Sequence, residues 1–434
     1  MKKFLCILVV SMLVLSLLAG CGGQKQSGET TKATEEKKEE PKKQAEPVTI
    51  KFFNWYNNEG VPYADKLVEL VKEKMPNVTL ELEMVNWDTM HPTLQTRIAA
   101  NEVPDLIDFK GQDIPKYAKA GHLMELTGKP FMQDLPKAAT EAIKVEGKDY
   151  GIPYTALYQG VLYNKKIFAE NSIEIPKTYD ELMQIAEKLQ SKGITPFATH
   201  FKDNWNIGNI TMQFAMSEVF NKNPRWGYDL YEGKVSFAES PEYRAVFEHV
   251  KDVYKYTFKD TYSIELTKSD ELFAKGKAAM NITGTWSITN IEAVNPELDY
   301  GIFPFPGKDP GAKLIFEPDH TFAASAKTKH PEEVLKVLEL VATDKKLAQF
   351  CIDNLKTHSL LKDVMPSTKS PVLKDIDNYK NNNQIVDVSI GNTQILWPYQ
   401  EEYSRYITEW LFGKKTLDEA LKAADAYKDK VKLN

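Results

Sequence analysis

Apolar and polar residues alternate strictly at two places early in the chain. Val48, Ile50 and Phe52 oppose Thr49 and Lys51, and Val78, Leu80, Leu82 and Met84 oppose Thr79, Glu81 and Glu83. A repeat of two places neighbouring side chains on opposite faces, so each stretch predicts a strand. Between them, Tyr63 to Met75 carries Leu67, Leu70 and Val71 on one helical face. Strand, helix, strand in this order predicts a parallel sheet. Asp105-Leu106-Ile107, after a polar turn, predicts another short strand. Two helix starts share one device: Thr178-Tyr179-Asp180-Glu181 before Leu182, Ile185, Ala186 and Leu189, and Thr416-Leu417-Asp418-Glu419 before Ala420, Leu421 and Ala424. A Thr and a Glu at this spacing can each accept a backbone N–H of the first turn. Gly193 stops the first of these helices, and Pro241 after Ser240 and Pro331 after His330 open two more. The fold class is α/β, with helices outnumbering strands. The chain has no short-period repeat, which argues against solenoids and propellers.

The chain start departs from this globular pattern. Lys2 and Lys3 precede an almost wholly apolar run from Phe4 to Leu18, closed by Ala19 and Gly20. That order predicts a secretory signal over residues 1–20. A membrane-spanning helix, the alternative, needs about 20 apolar residues, and small residues stand where the span would continue. Leu18-Ala19-Gly20-Cys21 resembles the lipobox of bacterial lipoproteins. The resemblance implies lipidation of Cys21, which would become the first mature residue, anchored to the cell membrane on its outer side. Residues 21–47 hold Lys, Glu, Gln, Thr and Ser, with no aromatic or β-branched aliphatic residue before Val48. So little apolar surface cannot offset the entropy of ordering, so this stretch is expected to be a disordered tether. Pro41 and Pro47 keep it extended.

From Val48 to Asn434 the chain is long enough for two domains. Hydrophobic residues at 42% and charged residues at 27% suffice for sizeable cores. A formal net charge of −6 with no concentrated basic stretch argues against a nucleic-acid partner. Of the three cysteines, Cys6 lies in the signal and Cys21 at the lipid site. Only Cys351 is left, in the helical pattern Leu347, Phe350, Cys351, Leu355, where a buried thiol is expected. That excludes an intrachain disulfide and a cysteine-rich metal site. The histidines form no metal-ligand spacing, so no metal and no cofactor is expected. No G-x-S-x-G elbow, phosphate-binding loop, H-E-x-x-H or dinucleotide fingerprint occurs, and no catalytic residue is assigned. Glu317 with Asp319 is a carboxylate pair, but 61 acidic residues make such pairs expected by chance. A secreted glycosidase, which needs two carboxylates facing one bond, stays as a rival reading.

Three tryptophans stand in polar or glycine-rich sequence: Asn54-Trp55-Tyr56-Asn57-Asn58-Glu59, Asp203-Asn204-Trp205-Asn206 and Gly284-Thr285-Trp286. Each could cap a core. As a set they suit a sugar, whose apolar C–H faces stack on aromatic rings while its rim meets polar groups. Trp410, helix-spaced with Ile407 and Leu411, is expected in the core.

Three longer stretches carry a family resemblance. The first is Tyr150-Gly151-Ile152-Pro153-Tyr154, then Leu162-Tyr163-Asn164-Lys165-Lys166-Ile167-Phe168 and Pro176-Lys177-Thr178-Tyr179-Asp180-Glu181-Leu182. The second is Phe273-Ala274-Lys275-Gly276-Lys277-Ala278-Ala279-Met280, with Gly284-Thr285-Trp286 and Tyr300-Gly301-Ile302-Phe303-Pro304-Phe305-Pro306 after it. The third is Gly413-Lys414-Lys415-Thr416-Leu417-Asp418-Glu419-Ala420-Leu421. Together they resemble the extracellular solute-binding proteins of sugar ABC importers, maltose-binding protein among them.

The resemblance implies a periplasmic-binding-protein-like fold, two α/β lobes with a ligand cleft between them. Residues 48–155 and 307–360 are expected in lobe 1, and 156–306 and 361–434 in lobe 2. The chain would cross near Ala156 to Tyr158, Phe303 to Pro306 and Lys356 to Asp363. It implies a monomeric receptor for a sugar or oligosaccharide, without enzymatic activity, delivering its ligand to an ABC permease. The ligand would favour closure because only the closed state lets both lobes touch it. Candidate ligand contacts carried over are Trp55, Asn57 and Glu59 after the first strand, and Phe109, Lys110 and Asp113 after the Asp105 strand. Tyr158 lies at the first crossing, and His200 and Trp205 follow Thr195-Pro196-Phe197. Trp286, Asp319, His320 and Trp397 complete the set. A receptor of the same fold for a non-sugar solute is the main alternative. An anionic ligand would want Arg or Lys at the cleft, and Lys110 alone among the candidates keeps an acidic sugar open. Two stretches depart from the family pattern: Phe316-Glu317-Pro318-Asp319-His320 is more polar than the glycine-rich version, and Ser367 to Ile385 has no counterpart.

Overall fold

The structure is a computed structural model that describes residues 46–56, 62–367, 370–392, 396 and 399–430. The predicted signal, Cys21 and nearly all of the predicted tether lie outside these residues. In the described part, the first two alternating runs form β1 (Val48–Tyr56) and β2 (Val78–Asn86), paired in parallel from Val48 opposite Val78 to Tyr56 opposite Asn86. The helix Pro62–Lys74 connects them. β3 (Leu106–Lys110) lies parallel on the other side of β1, and β4 (Ile152–Pro153) sits at the far edge of this sheet. β1 is covered on both faces. Ile50 and Phe52 pack against Tyr63, Ala64, Leu67 and Val71, while Phe53 and Trp55 face Met90 and Leu94 of the helix Trp87–Ala99. Double coverage is the rule for a central parallel strand.

The chain leaves the first sheet at Tyr154. β5 (Thr155–Asn164) is buried along its whole length and forms the spine of a second sheet. β6 (Thr195–Ala198) lies beyond β7 (Ala278–Gly284), and β8 (Tyr300–Phe303) and β9 (Leu314–Pro318) pair antiparallel with β5. β10 (His320–Ala324) then returns to the first sheet, antiparallel to both β3 and β4. The second crossing therefore falls at Pro318-Asp319-His320 and not at Phe303 to Pro306. The reason is β9: its backbone is held on β5 with Ala156 opposite Pro318, so the chain cannot turn back until that ladder ends. The Asp319 N–H then donates to the Thr155 carbonyl at 2.9 Å. The helices Pro331–Thr343 and Lys345–Leu355 cover the first sheet. Lys356, with φ of 50°, ends the second of them, and β11 (His358–Ser359) pairs with β5. The stretch without a family counterpart supplies the helix Pro371–Asn381 on the second lobe and leads into β12 (Ile385–Asp387), parallel to β9.

Local signals act as their chemistry predicts. Thr416 and Glu419 exchange both bonds of a capping box. Thr178 accepts the Glu181 N–H at 3.3 Å, but Glu181 reaches one residue further back, accepting from the Lys177 N–H at 2.6 Å. Cys351 is wholly buried, and burial pushes its thiol up, so it is an unreactive core residue. Trp410 packs on the second-lobe core. Among the described residues, no helix is long and apolar enough to cross a membrane.

The core of the second lobe depends on one close approach. A Cβ on Gly208 would stand 2.1 Å from the Gln400 carbonyl oxygen, and the Gly208 N–H donates to Ser404 Oγ at 3.1 Å. The helices Asn204–Ala215 and Tyr399–Leu411 thus meet backbone to backbone. Gly208→Ala is expected to cost about 1–3 kcal/mol through overpacking. Urea unfolding measures this, and an unchanged midpoint would show that the two helices have room to part.

Candidate functional site

A cleft of about 350 Å³ opens where the carboxyl ends of the strands meet. Ends of parallel strands leave backbone and side chains free of the ladder, which is why open α/β sheets bind ligands there. The first sheet contributes Trp55 near the end of β1, Asn86 and Trp87 at the end of β2, and Lys110 at the end of β3. The second lobe contributes Leu157 and Gln159 of β5 and Trp286 just past β7. Asp203, Trp205 and Asn209 come from the start of one helix, Glu265, Leu266 and Thr267 from the start of another, and Gln400 from a third. Glu317 and Asp319 come from the crossing between the sheets.

Trp55 is held from both sides. The His320 ring stacks on it at 4.6 Å between centroids and 17° between planes, and Trp87 meets it edge-on at 4.9 Å. The Lys110 ammonium lies over both indoles, 4.7 Å from the Trp87 ring centre and 5.4 Å from that of Trp55. Such cation–π contacts help to hold a lysine in place. Behind His320 is a buried hub on Asp108. Its Oδ2 meets His320 Nδ1 at 2.8 Å and accepts from Asn54 Nδ2 at 3.0 Å and from the Tyr63 hydroxyl; its Oδ1 accepts the Thr321 N–H at 3.1 Å. Burial would lower the His320 pKa, but the Asp108 and Asp319 carboxylates outweigh it and raise it. His320 Nε2 lies 3.7 Å from Asp319 Oδ2. His320 thus joins the hub to the wall of the cleft.

On the opposite wall a chain of side-chain amides points toward Glu317. Gln213 Nε2 donates to Asn209 Oδ1 at 2.7 Å, Asn209 Nδ2 to Gln159 Oε1 at 3.1 Å, and Gln159 Nε2 to Glu317 Oε2 at 2.7 Å. Burial pushes the Glu317 carboxyl up to about 7, against the pull of Lys110. Burial also raises Asp319. Trp286 occupies space that only glycine leaves open, since a Cβ on Gly284 would stand 2.1 Å from its ring. Trp205 meets Trp286 edge-on at 6.1 Å and rests on His200 at 4.8 Å. Asp203 fixes that corner, its Oδ2 meeting His200 Nδ1 at 2.7 Å and accepting the Leu266 N–H at 2.8 Å. Among the described residues, four buried polar atoms of lining residues have no hydrogen-bond partner: Trp55 Nε1, Trp286 Nε1, Asp319 Oδ1 and Gln400 Nε2. Buried polar atoms without partners are rare in folded proteins, and in a cleft they suit a ligand rich in donors and acceptors.

Of the residues expected from sequence, Trp55, Lys110, Trp205, Trp286 and Asp319 line the cleft together. His200 and His320 are buried one layer behind and support Trp205 and Trp55. Three other expected contacts do not line it either. Phe109 points to the opposite face of β3 from Lys110 and packs on Tyr117. Asp113 turns toward His91, 3.4 Å away. Tyr158 faces Phe316 and His358, because its neighbours Leu157 and Gln159 take the cleft side of β5. Asn57, Glu59 and Trp397 lie outside the described residues.

The chief lining residues missing from that expectation are Trp87, Glu317, Gln159, Asn209, Glu265 and Gln400. Two had a signal. Trp87 follows the second alternating run much as Trp55 ends the first, and Glu317 stands two residues before Asp319, a spacing that shares a face in extended chain. The polar residues from helices and from β5 had none.

The comparisons agree with this architecture. The bacterial extracellular solute-binding protein family matches residues 57–347. The multiple sugar-binding protein of Streptococcus mutans is 26% identical over 322 residues, 70% of this chain and 73% of that protein. The diacetylchitobiose binding protein DasA of Streptomyces coelicolor is 26% identical over 289 residues, 63% of this chain and 64% of its own. Among solved structures, RafE in complex with raffinose superposes with a TM-score of 0.75 at 23% identity, covering 88% of this chain and 99% of that one. A chitin oligosaccharide binding protein does so with a TM-score of 0.76 at 21% identity, with the same coverage. These structures share the two-lobed fold. Family match, fold and cleft coincide, and the chain belongs to the bacterial extracellular solute-binding proteins.

Proposed function

We propose that this protein is an extracytoplasmic receptor for a sugar or oligosaccharide and delivers it to an ABC import permease. The observation that carries the reading is the cleft itself. Four indoles, Trp55, Trp87, Trp205 and Trp286, stand among buried polar atoms that have no partner among the described residues. Flat apolar faces beside donors and acceptors complement a pyranose ring and its hydroxyl rim. The names of the relatives support the same ligand class. Closure of the lobes on the ligand follows from contacts that only the closed state completes. A ligand bound to the folded state raises its melting temperature by mass action. Thermal shift against a panel of neutral mono- and oligosaccharides is expected to find at least one that stabilises the protein; no shift with any carbohydrate would overturn the reading.

The tether belongs to the same proposal. A lipid on Cys21 would hold the receptor within reach of its permease and keep its effective concentration high. Cys21→Ala is expected to free the protein from membranes and leave ligand affinity unchanged. Fractionation checks this, and a variant that still sediments with membranes would refute the lipid anchor.

A further inference from the structure

We infer that the cleft is a charge filter: it accepts neutral and amine-bearing saccharides and rejects those carrying a carboxylate, sulfate or phosphate, with Glu317 and Asp319 as the deciding residues. This rests on the saccharide reading above and narrows it. Lys110, the one basic residue among the described residues lining the cleft, leaves an acidic sugar open in the sequence, and its placement now argues the other way. Its ammonium is turned onto the Trp87 and Trp55 indoles, and its charge already offsets part of the burial that raises Glu317 and Asp319. Among the described lining residues a single cation thus stands by two carboxylates that are 1% and 6% exposed, with the His320 ring behind Asp319 at 3.7 Å.

Asp319 carries the independent sign of a ligand. Its residue lines the cleft, and its Oδ1 is buried with no hydrogen-bond partner among the described residues. A hydroxyl or an ammonium can donate to it, whereas a carboxylate or sulfate group placed there has no hydrogen to offer. Glu317 is fixed by the amide chain from Gln213, which presents a donor to its Oε2 at 2.7 Å. An incoming anion would have to draw Lys110 off two rings and face both carboxylates where water screens little. Neutral hydroxyls meet no such repulsion.

The filter is also pH-dependent. The charged groups facing Glu317 are Lys110 at the end of β3, Asp113 in the turn after it, and Asp319. Burial pushes Glu317 up to about 7. As pH falls through that value the carboxylate takes a proton, the cleft loses a negative charge, and an anion is repelled less.

The test uses the neutral saccharide giving the largest thermal shift and its 6-carboxylate and 6-amino derivatives, titrated by calorimetry on the folded protein. At pH 8 the carboxylate is expected to bind at least tenfold more weakly than the parent, and the amine at least as tightly. At pH 6 the gap between parent and carboxylate should narrow, because a sugar carboxylate with a pKa of about 4 stays ionised throughout. Asp319→Asn should narrow it at both pH values; should that variant not fold, the wild-type comparison decides alone. A carboxylate that binds as tightly as the parent at pH 8 overturns the filter and leaves the receptor reading standing. If no saccharide binds, both fall together.

Discussion

Asp108→Ala is expected to lower the unfolding free energy by about 3–5 kcal/mol, the scale for removing one partner of a buried charged pair. Asp108 is wholly buried and ties together Asn54 of β1, Tyr63 of the first helix, and His320 and Thr321 of β10. Alanine would remove the acceptor that these four groups share, leaving the Thr321 N–H without it and the rest with only the Asn54–Tyr63 and Tyr63–His320 contacts at 3.0 and 2.8 Å. The damage should reach the cleft, because His320 is stacked on Trp55 and faces Asp319. Urea unfolding reads the first effect, and calorimetry on the fraction still folded reads the second, as weaker saccharide binding. A variant with the wild-type midpoint would show that the hub does not hold the lobe together. Asp108→Asn keeps one acceptor oxygen and should fall between the two proteins.

Trp286→Ala is expected to weaken saccharide binding by about 1–3 kcal/mol, roughly five- to 150-fold, while leaving the fold intact. The ring lines the cleft, its Nε1 has no partner among the described residues, and it supports Trp205 edge-on. Its loss removes both a platform and a wall. Gly284→Ala approaches the same site from the backbone. Its φ of −143° suits any residue, so the harm comes from the Cβ, which would collide with the Trp286 ring. The two changes should therefore weaken binding in the same direction, and to a lesser degree for Gly284→Ala if the ring finds another rotamer. Affinity unchanged in Trp286→Ala would remove that residue from the site.

These expectations rest on residues of different legibility. Trp286 stood out from its motif, Gly284-Thr285-Trp286, and Trp55 from its polar surroundings. The role of Asp108 was invisible, since an acidic residue inside a strand looks the same whether it faces water or four buried donors. Phe109, Asp113 and Tyr158 carry the converse lesson. Each lies next to a residue that faces the cleft or close to one, but a single step along a strand reverses the face, and a turn re-aims a side chain. The second crossing was misplaced for a related reason: nothing local in Leu314–Pro318 tells which sheet will take it. Its partner in β5 is remote in sequence and is chosen by packing.

What the sequence determined by itself was whatever depends on neighbours in the chain. That covers the alternating strands β1 and β2, the helix starts at Thr178, Ser240 and Thr416, the buried Cys351, and the family motifs that implied two lobes and a cleft. The tertiary structure alone decided what depends on groups brought together from afar. It joined Gln213, Asn209 and Gln159 into one line of donors ending on Glu317, set Lys110 over two indoles, and placed His320 between Asp108 and Trp55. The physical reason is range. Periodicity and capping act over a few residues and are written in the order of the chain. Burial, charge and ligand chemistry act across space, where Asp108 and His320, 212 positions apart, are hydrogen-bonded neighbours.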